Sequence, residues 1–93
     1  MLITYERLQQ TFQEYPITKY FTHRGARINY SYKGKVIISG LMHTSNGYIW
    51  GKDIEAHTHY KVGSRYWINF KHLSEIELRN LLNEVLSYRD KLS

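Results

Sequence analysis

The sequence predicts an α+β fold: an antiparallel meander sheet of four or five strands, with an N-terminal and a C-terminal helix packed on one face. Three observations carry this. Tyr5, Leu8, Phe12 and Tyr15 form one helical stripe that stops at Pro16. Between residues 26 and 70, short apolar segments alternate with turns containing glycine. From Ser74 onward the pattern is that of a capped amphipathic helix. Helices at both ends of a run of strands pack on the same side of the sheet and leave its other side open or used.

The elements follow in order. Thr4 is a helix N-cap for the first stripe. Residues 17–25, ITKYFTHRG, have no clear period and read as a connection anchored by Tyr20 and Phe21. Residues 26–32 alternate as a strand, and Lys33-Gly34 is a tight turn. Residues 35–41, KVIISGL, are apolar on both faces, which suits a central strand. Ser45-Asn46-Gly47 is the strongest turn signal, because Asn-Gly readily takes positive φ. Strands are expected over 48–52, 54–62 and 65–70, the last two joined by a Gly63-Ser64 turn. The final helix begins at Glu75. Ser74 and Glu77 form a capping box, and Leu73 and Leu78 a hydrophobic staple. Leu78, Leu81, Leu82 and Val85 make its core face, and it ends near Arg89.

Ninety-three residues are expected to form one domain, 1–93, with room for one small site or one binding face. The chain has no cysteine, so it has no disulfide, no thiolate nucleophile and no cysteine-ligated zinc. Its apolar runs fall short of the ~20 residues that span a bilayer. Its first residues lack a basic segment followed by a long apolar one. The expectation is a cytoplasmic protein without membrane contact.

The net charge is +5, and its distribution is uneven. Residues 15–72 carry nine basic and two acidic side chains, a net of +7, whereas each flank carries −1. All five histidines and seven of the nine tyrosines lie in the same middle region. Basic and aromatic residues concentrated together are the footprint of a polyanion binder. Strict alternation sends Ile28, Tyr30, Val36, Ile38, Ile49, Tyr60, Val62, Tyr66, Ile68 and Phe70 toward the helices. The opposite face then receives Arg27, Asn29, Lys35, Ser39, Tyr48, Trp50, Lys52, His57, His59, Lys61, Arg65, Trp67 and Asn69.

From that face the nucleic-acid-binding candidates are Arg27, Lys35, Tyr48, Trp50, Lys52, Lys61, Arg65 and Trp67. Rings would stack on or wedge between bases, and cations would meet phosphates. The same residue types are enriched at protein interfaces, so a homodimer or an inhibitor from a phage or mobile element, docking on an acidic protein surface, is the alternative partner reading. Glu55, His57 and His59 would share a strand face, but the spacing is common and no further ligand is placed, so no metal site and no cofactor is assigned. His57, His59, Arg65 and Tyr48 would suffice for metal-independent RNA cleavage, which ranks third. No phosphate-binding glycine loop or nucleophile elbow is present, so no catalytic residue is assigned. The order of elements is similar to that of a double-stranded RNA-binding domain. That family opens its second helix with lysines where this chain has Ser74-Glu75-Ile76-Glu77, so no family is assigned.

Overall fold

The computed structural model describes residues 3–63 and 65–92. Helix α1 (Tyr5–Gln13) is followed by strands β1 (Thr18–Thr22), β2 (Arg27–Tyr32), β3 (Lys35–Leu41), β4 (Tyr48–Trp50) and β5 (Trp67–Asn69), then by helix α2 (Glu75–Leu92). The five strands form one antiparallel sheet in chain order, so every connection is local. The α+β meander with a helix at each end is therefore the observed architecture.

Both helices start as the sequence dictates. Thr4 accepts the Arg7 amide at 3.1 Å. Ser74 and Glu77 close a reciprocal box, in which the Glu77 amide donates to Ser74 Oγ at 3.2 Å and the Ser74 amide donates to Glu77 Oε1 at 3.0 Å. Tyr30 pairs with Ile38, Ile38 with Ile49, and Ile49 with Ile68, which sets these side chains in a row on one face of the sheet. Leu8 and Phe12 of α1 and Leu78, Leu81, Leu82 and Val85 of α2 join them in one core. Phe12 is fully buried and stands edge-on to Tyr30 at 5.0 Å and to Phe70 at 5.9 Å. Burial pushes the Tyr30 phenol up to about 12.

The helices are also tied to each other. Arg7 grips Glu75 with two bonds, at 2.7 and 2.8 Å. Arg79 reaches Glu75 at 3.0 Å and grips Glu14 at 2.8 and 3.3 Å. The Arg7 and Arg79 guanidiniums pull the Glu75 carboxyl down to about 2.

Four segments differ from the sequence reading, each for a physical reason. Residues 18–22, read as a connection, form edge strand β1. It is exposed on both sides, so no apolar alternation announces it. Residues 54–62, read as a strand, instead turn back after a 3₁₀ segment, Lys52–Ile54. The His57 and Thr58 amides both donate to the Ile54 carbonyl, at 3.1 and 2.9 Å. Ile54 is fully buried, and Asp53 pairs with Arg89 of α2 at 3.4 Å, which ties this turn to α2. Strand β3 carries two bulges against β2, so Ile37 and Ile38 are both buried and simple alternation fails. Gly40 supplies the positive φ, 70°, at one of them, and its amide donates to Asn29 Oδ1 at 2.9 Å. Val36 pairs with Ser31 and is only partly buried, and Lys35 pairs with Tyr32.

The fourth difference is at Ser45-Asn46-Gly47. The turn is there, but Ser45 holds the positive φ, 70°, while Gly47 serves a close approach. A Cβ on Gly47 would stand 2.5 Å from the Phe70 ring and 3.3 Å from the Leu41 Cα. Lys33 and Gly34 turn as expected, with φ of 50° and 82°. The Gly63-Ser64 turn is closed by the Tyr66 amide donating to the Gly63 carbonyl at 2.9 Å, while Ser64 itself lies outside the described residues.

Two measurements test this packing. Gly47→Ala overpacks the core and is expected to cost about 1–3 kcal/mol in urea unfolding. A variant as stable as the parent would show that Phe70 does not seal this turn. Glu75 titrates below its ordinary value of 4.5, so its pairing supports the fold above that value and is lost as pH falls toward about 2. The melting temperature should drop through this window, and Glu75→Gln should flatten the drop while lowering stability at neutral pH.

Candidate nucleic-acid interface

Away from the helices, β4 and β5 present an aromatic cluster built by their pairing. Trp50 stands opposite Trp67, and Tyr48 opposite Asn69. The Trp50 and Trp67 rings meet edge-on at 5.1 Å and 68°. Tyr66 adds a second edge contact to Trp50, at 6.1 Å. The Lys35 ammonium lies 3.6 Å from the Trp50 ring centroid, and the Lys52 ammonium 5.2 Å from that of Tyr66. Trp50 is thus the centre of the cluster: a cation lies over its ring, and two further rings stand at steep angles to it. Its indole N–H is enclosed and meets no acceptor among the described residues. An unmet buried donor costs about 1–3 kcal/mol.

Tyr66 is where alternation misleads. It was expected among the core residues, with Ile68 and Phe70, yet it is exposed and has φ of 67°. The cause is the connection into β5. The Tyr66 amide donates to the Gly63 carbonyl, and the Gly63 amide donates to the Trp67 carbonyl at 3.2 Å. These two bonds close a tight turn that ends at Tyr66, which takes the left-handed conformation before the strand starts. A tyrosine occupies a place that favours glycine, at a cost of about 1–2 kcal/mol. Its carbonyl accepts the Gly51 amide at 2.7 Å, so the β4–β5 pairing runs one step further and holds the loop down.

Two depressions flank Trp67. One, of about 380 Å³, is lined by Ser39, Tyr48, Gly63, Arg65 and Trp67. The other, of about 320 Å³, is lined by Tyr48, Tyr60, Lys61, Gly63, Trp67, Ile68 and Asn69. Tyr48 and Trp67 wall both. Tyr48 is 39% exposed and Trp67 half-buried, so each keeps ring surface available. Lys61 and Arg65 are exposed at the rims.

Six of the eight carboxylates are engaged elsewhere. Glu14 and Glu75 pair with arginines between the helices, Asp90 with Lys33 at 2.8 Å, and Asp53 with Arg89. Glu77 is held by the cap at Ser74, and Glu84 stands 3.8 Å from His57. Among the described residues, none of Arg27, Lys35, Lys52, Lys61 and Arg65 takes part in an ion pair.

The eight residues singled out from the sequence therefore divide. Tyr48, Trp67, Lys61 and Arg65 line the depressions. Trp50 and Lys35 form the support beneath, and Lys52 guards the Tyr66 end. Arg27 is apart from these, at the start of β2 opposite Thr22, with its aliphatic stem over Gly40. Tyr66 and Gly63 are site residues that the sequence reading did not supply. The Gly63-Ser64 turn was a signal for a bend there, but nothing in the residue types announces a left-handed tyrosine.

The histidines separate as well. His57 packs on the Tyr88 ring at 5.0 Å and His59 on Tyr60 at 4.1 Å, and Glu55, His57 and His59 share no strand. Among the described residues, no three His, Asp or Glu side chains converge to hold a metal ion. No helix among the described residues is long and apolar enough to cross a membrane. Compared with known proteins, the chain matches no family model, no curated protein and no solved structure. The chemistry of the site is therefore read from its own residues.

Paired substitutions test the left-handed loop residue. Tyr66→Gly and Tyr66→Ala both remove the ring, but only glycine relieves the backbone. The glycine variant is expected to be the more stable by about 1 kcal/mol in denaturant unfolding. Equal stabilities would place Tyr66 in ordinary extended backbone.

Proposed function

We propose that the chain is a cytoplasmic, non-enzymatic module that contacts nucleic acid through the β4–β5 face, taking unpaired bases on Tyr48 and Trp67. One observation carries this reading: exposed ring surface walls two depressions whose rims hold Lys61 and Arg65, cations with no carboxylate partner among the described residues. A base has two apolar faces and an anionic backbone, so it needs this pairing of ring and cation. Stacking contributes about 1–3 kcal/mol per base, and phosphate contacts add a salt-dependent term.

The division of labour follows from the geometry. Trp50, gripped by two rings and a lysine, fixes where Trp67 stands. Lys35 neutralises nothing and keeps its charge near the cluster, where it adds to the field that draws a polyanion. Lys61 and Arg65, exposed and unpaired, meet phosphates. A docked acidic protein surface, as for an inhibitor encoded by a phage or mobile element, is the second reading. The mutual packing of Trp50, Tyr66 and Trp67 favours it, since tryptophan, tyrosine and arginine dominate protein hot spots.

The test is fluorescence anisotropy of labelled single- and double-stranded oligonucleotides across a salt series. Binding should favour the single strand, and log affinity should fall linearly with log salt. Lys61→Gln and Arg65→Gln should each reduce that slope by roughly 1. Tyr48→Ala should weaken binding by about 1–3 kcal/mol with a small change of slope. Trp67→Ala should weaken binding while the variant still melts cooperatively. No binding at low salt, where charge attraction is strongest, ends the nucleic-acid reading and leaves the protein surface as the partner to be sought.

A further inference from the structure

At the far side of the sheet, β1 is an edge strand without a neighbour on its outer side. Among the described residues, no backbone bond reaches it from beyond β2. Edge strands of monomers are blunted by proline, bulges or charges, lysine above all; the one charge on β1, Lys19, is drawn aside onto Gln9 of α1 at 2.8 Å. This one pairs with β2 without a break over five residues and has neither proline nor bulge. It also exposes two rings, Phe21 at 60% and Tyr20 at 38%.

We propose that β1 pairs antiparallel with β1 of a second copy of this chain, in a two-fold register centred on Tyr20. Three features select that occupant. First, Tyr20 is the midpoint of Thr18–Thr22, so only this register pairs all five residues. Second, it is self-complementary. Lys19 of each copy falls opposite Phe21 of the other, so a cation meets a ring. Within one chain the Lys19 ammonium already lies 5.2 Å from the Phe21 ring centroid, anchored by a 2.8 Å bond to Gln9 of α1. Sliding the strands to centre on Lys19 would oppose like charges.

Third, residues directly opposite each other point to the same side of a sheet. Centring on Tyr20 therefore puts the helices of both copies on one side and the two β4–β5 faces on the other. Tyr20 and Arg27 of each copy lie next to the join, since Tyr20 pairs with Asn29 and Thr22 with Arg27. The result is one ten-stranded sheet with a continuous basic and aromatic surface.

This inference stands apart from the nucleic-acid reading, and its test contains no nucleic acid. A five-residue strand pair is a small interface, so the dimer is expected to build up with concentration rather than to be permanent. Sedimentation velocity of the full chain should show the mass rise from 11.2 kDa toward twice that value as concentration increases. Amides of residues 18–22 should exchange more slowly over the same range. Phe21→Lys removes the ring and sets lysine against lysine. It should remain at the monomer mass at every concentration with an unchanged melt, because Phe21 is largely exposed. A parent chain that stays monomeric up to about 1 mM, far above the range of specific interfaces, overturns the proposal. So does a Phe21→Lys variant that still dimerises, or a mass that doubles without slower exchange in β1.

Discussion

Phe12 is the contact on which the rest of the structure depends. A nine-residue helix is too short to be stable alone, and its one fully buried aromatic joins it to the sheet. Phe12 stands between Tyr30, on β2, and Phe70, at the end of β5, so one ring connects the two ends of the strand order it touches. Phe70 in turn seals Gly47, which sets the turn into β4. The paired strands that carry Trp50 and Trp67 are therefore positioned by packing that begins on the opposite side of the sheet.

Charge is sorted by the same arrangement. Short antiparallel connections bring α1 and α2 together, and Glu14, Glu75, Glu77 and Asp90 are held there by Arg7, Arg79, Lys33 and the Ser74 cap. Among the described residues, Arg27, Lys35, Lys52, Lys61 and Arg65 keep no such partners, so the positive field concentrates on the sheet. A domain of the same net charge with its carboxylates spread evenly would have no such face. The total of +5 says less than the fact that α1 and α2 hold the neutralising charge away from Lys61 and Arg65.

How far the sequence could be read depended on what each segment buries. Both helices were legible because their caps and stripes are local: Thr4, Ser74 and Glu77 bond within three residues. The buried row of Ile28, Tyr30, Ile38, Ile49 and Ile68 followed from alternation. Alternation failed where it was not the governing rule. β1 is exposed on both sides and gives no pattern. The alternating residues from Ile54 to Val62 serve a turn anchored by Ile54 and leave Tyr60 and Val62 only partly buried against the core. Across the bulges of β3, neighbours Ile37 and Ile38 are both buried. At the site, Tyr48, Trp50 and Trp67 were found together because the β4–β5 register is regular. Tyr66 was lost because a hydrogen-bonded loop, rather than a strand, sets its direction.

Several locally costly features coincide at the β4–β5 face. An unmet polar atom alone would mark nothing, since the hydroxyls of Thr11 and Tyr30 are also enclosed without partners beneath α1. What distinguishes this face is coincidence. Among the described residues, a left-handed tyrosine, an unmet indole N–H and cations outside any ion pair gather around two neighbouring rings, Trp50 and Trp67. Each has a cheaper alternative: glycine at 66, phenylalanine at 50, and acids beside Lys61 and Arg65. Backbone strain of this kind persists only where the surroundings hold it, and it concentrates at binding and catalytic sites. Here the surroundings are the Gly51 bond, the Trp67 edge contact and the Lys35 ammonium, all directed to keeping one aromatic arrangement in place. The left-handed turn at Tyr66 is what brings its ring to Trp50.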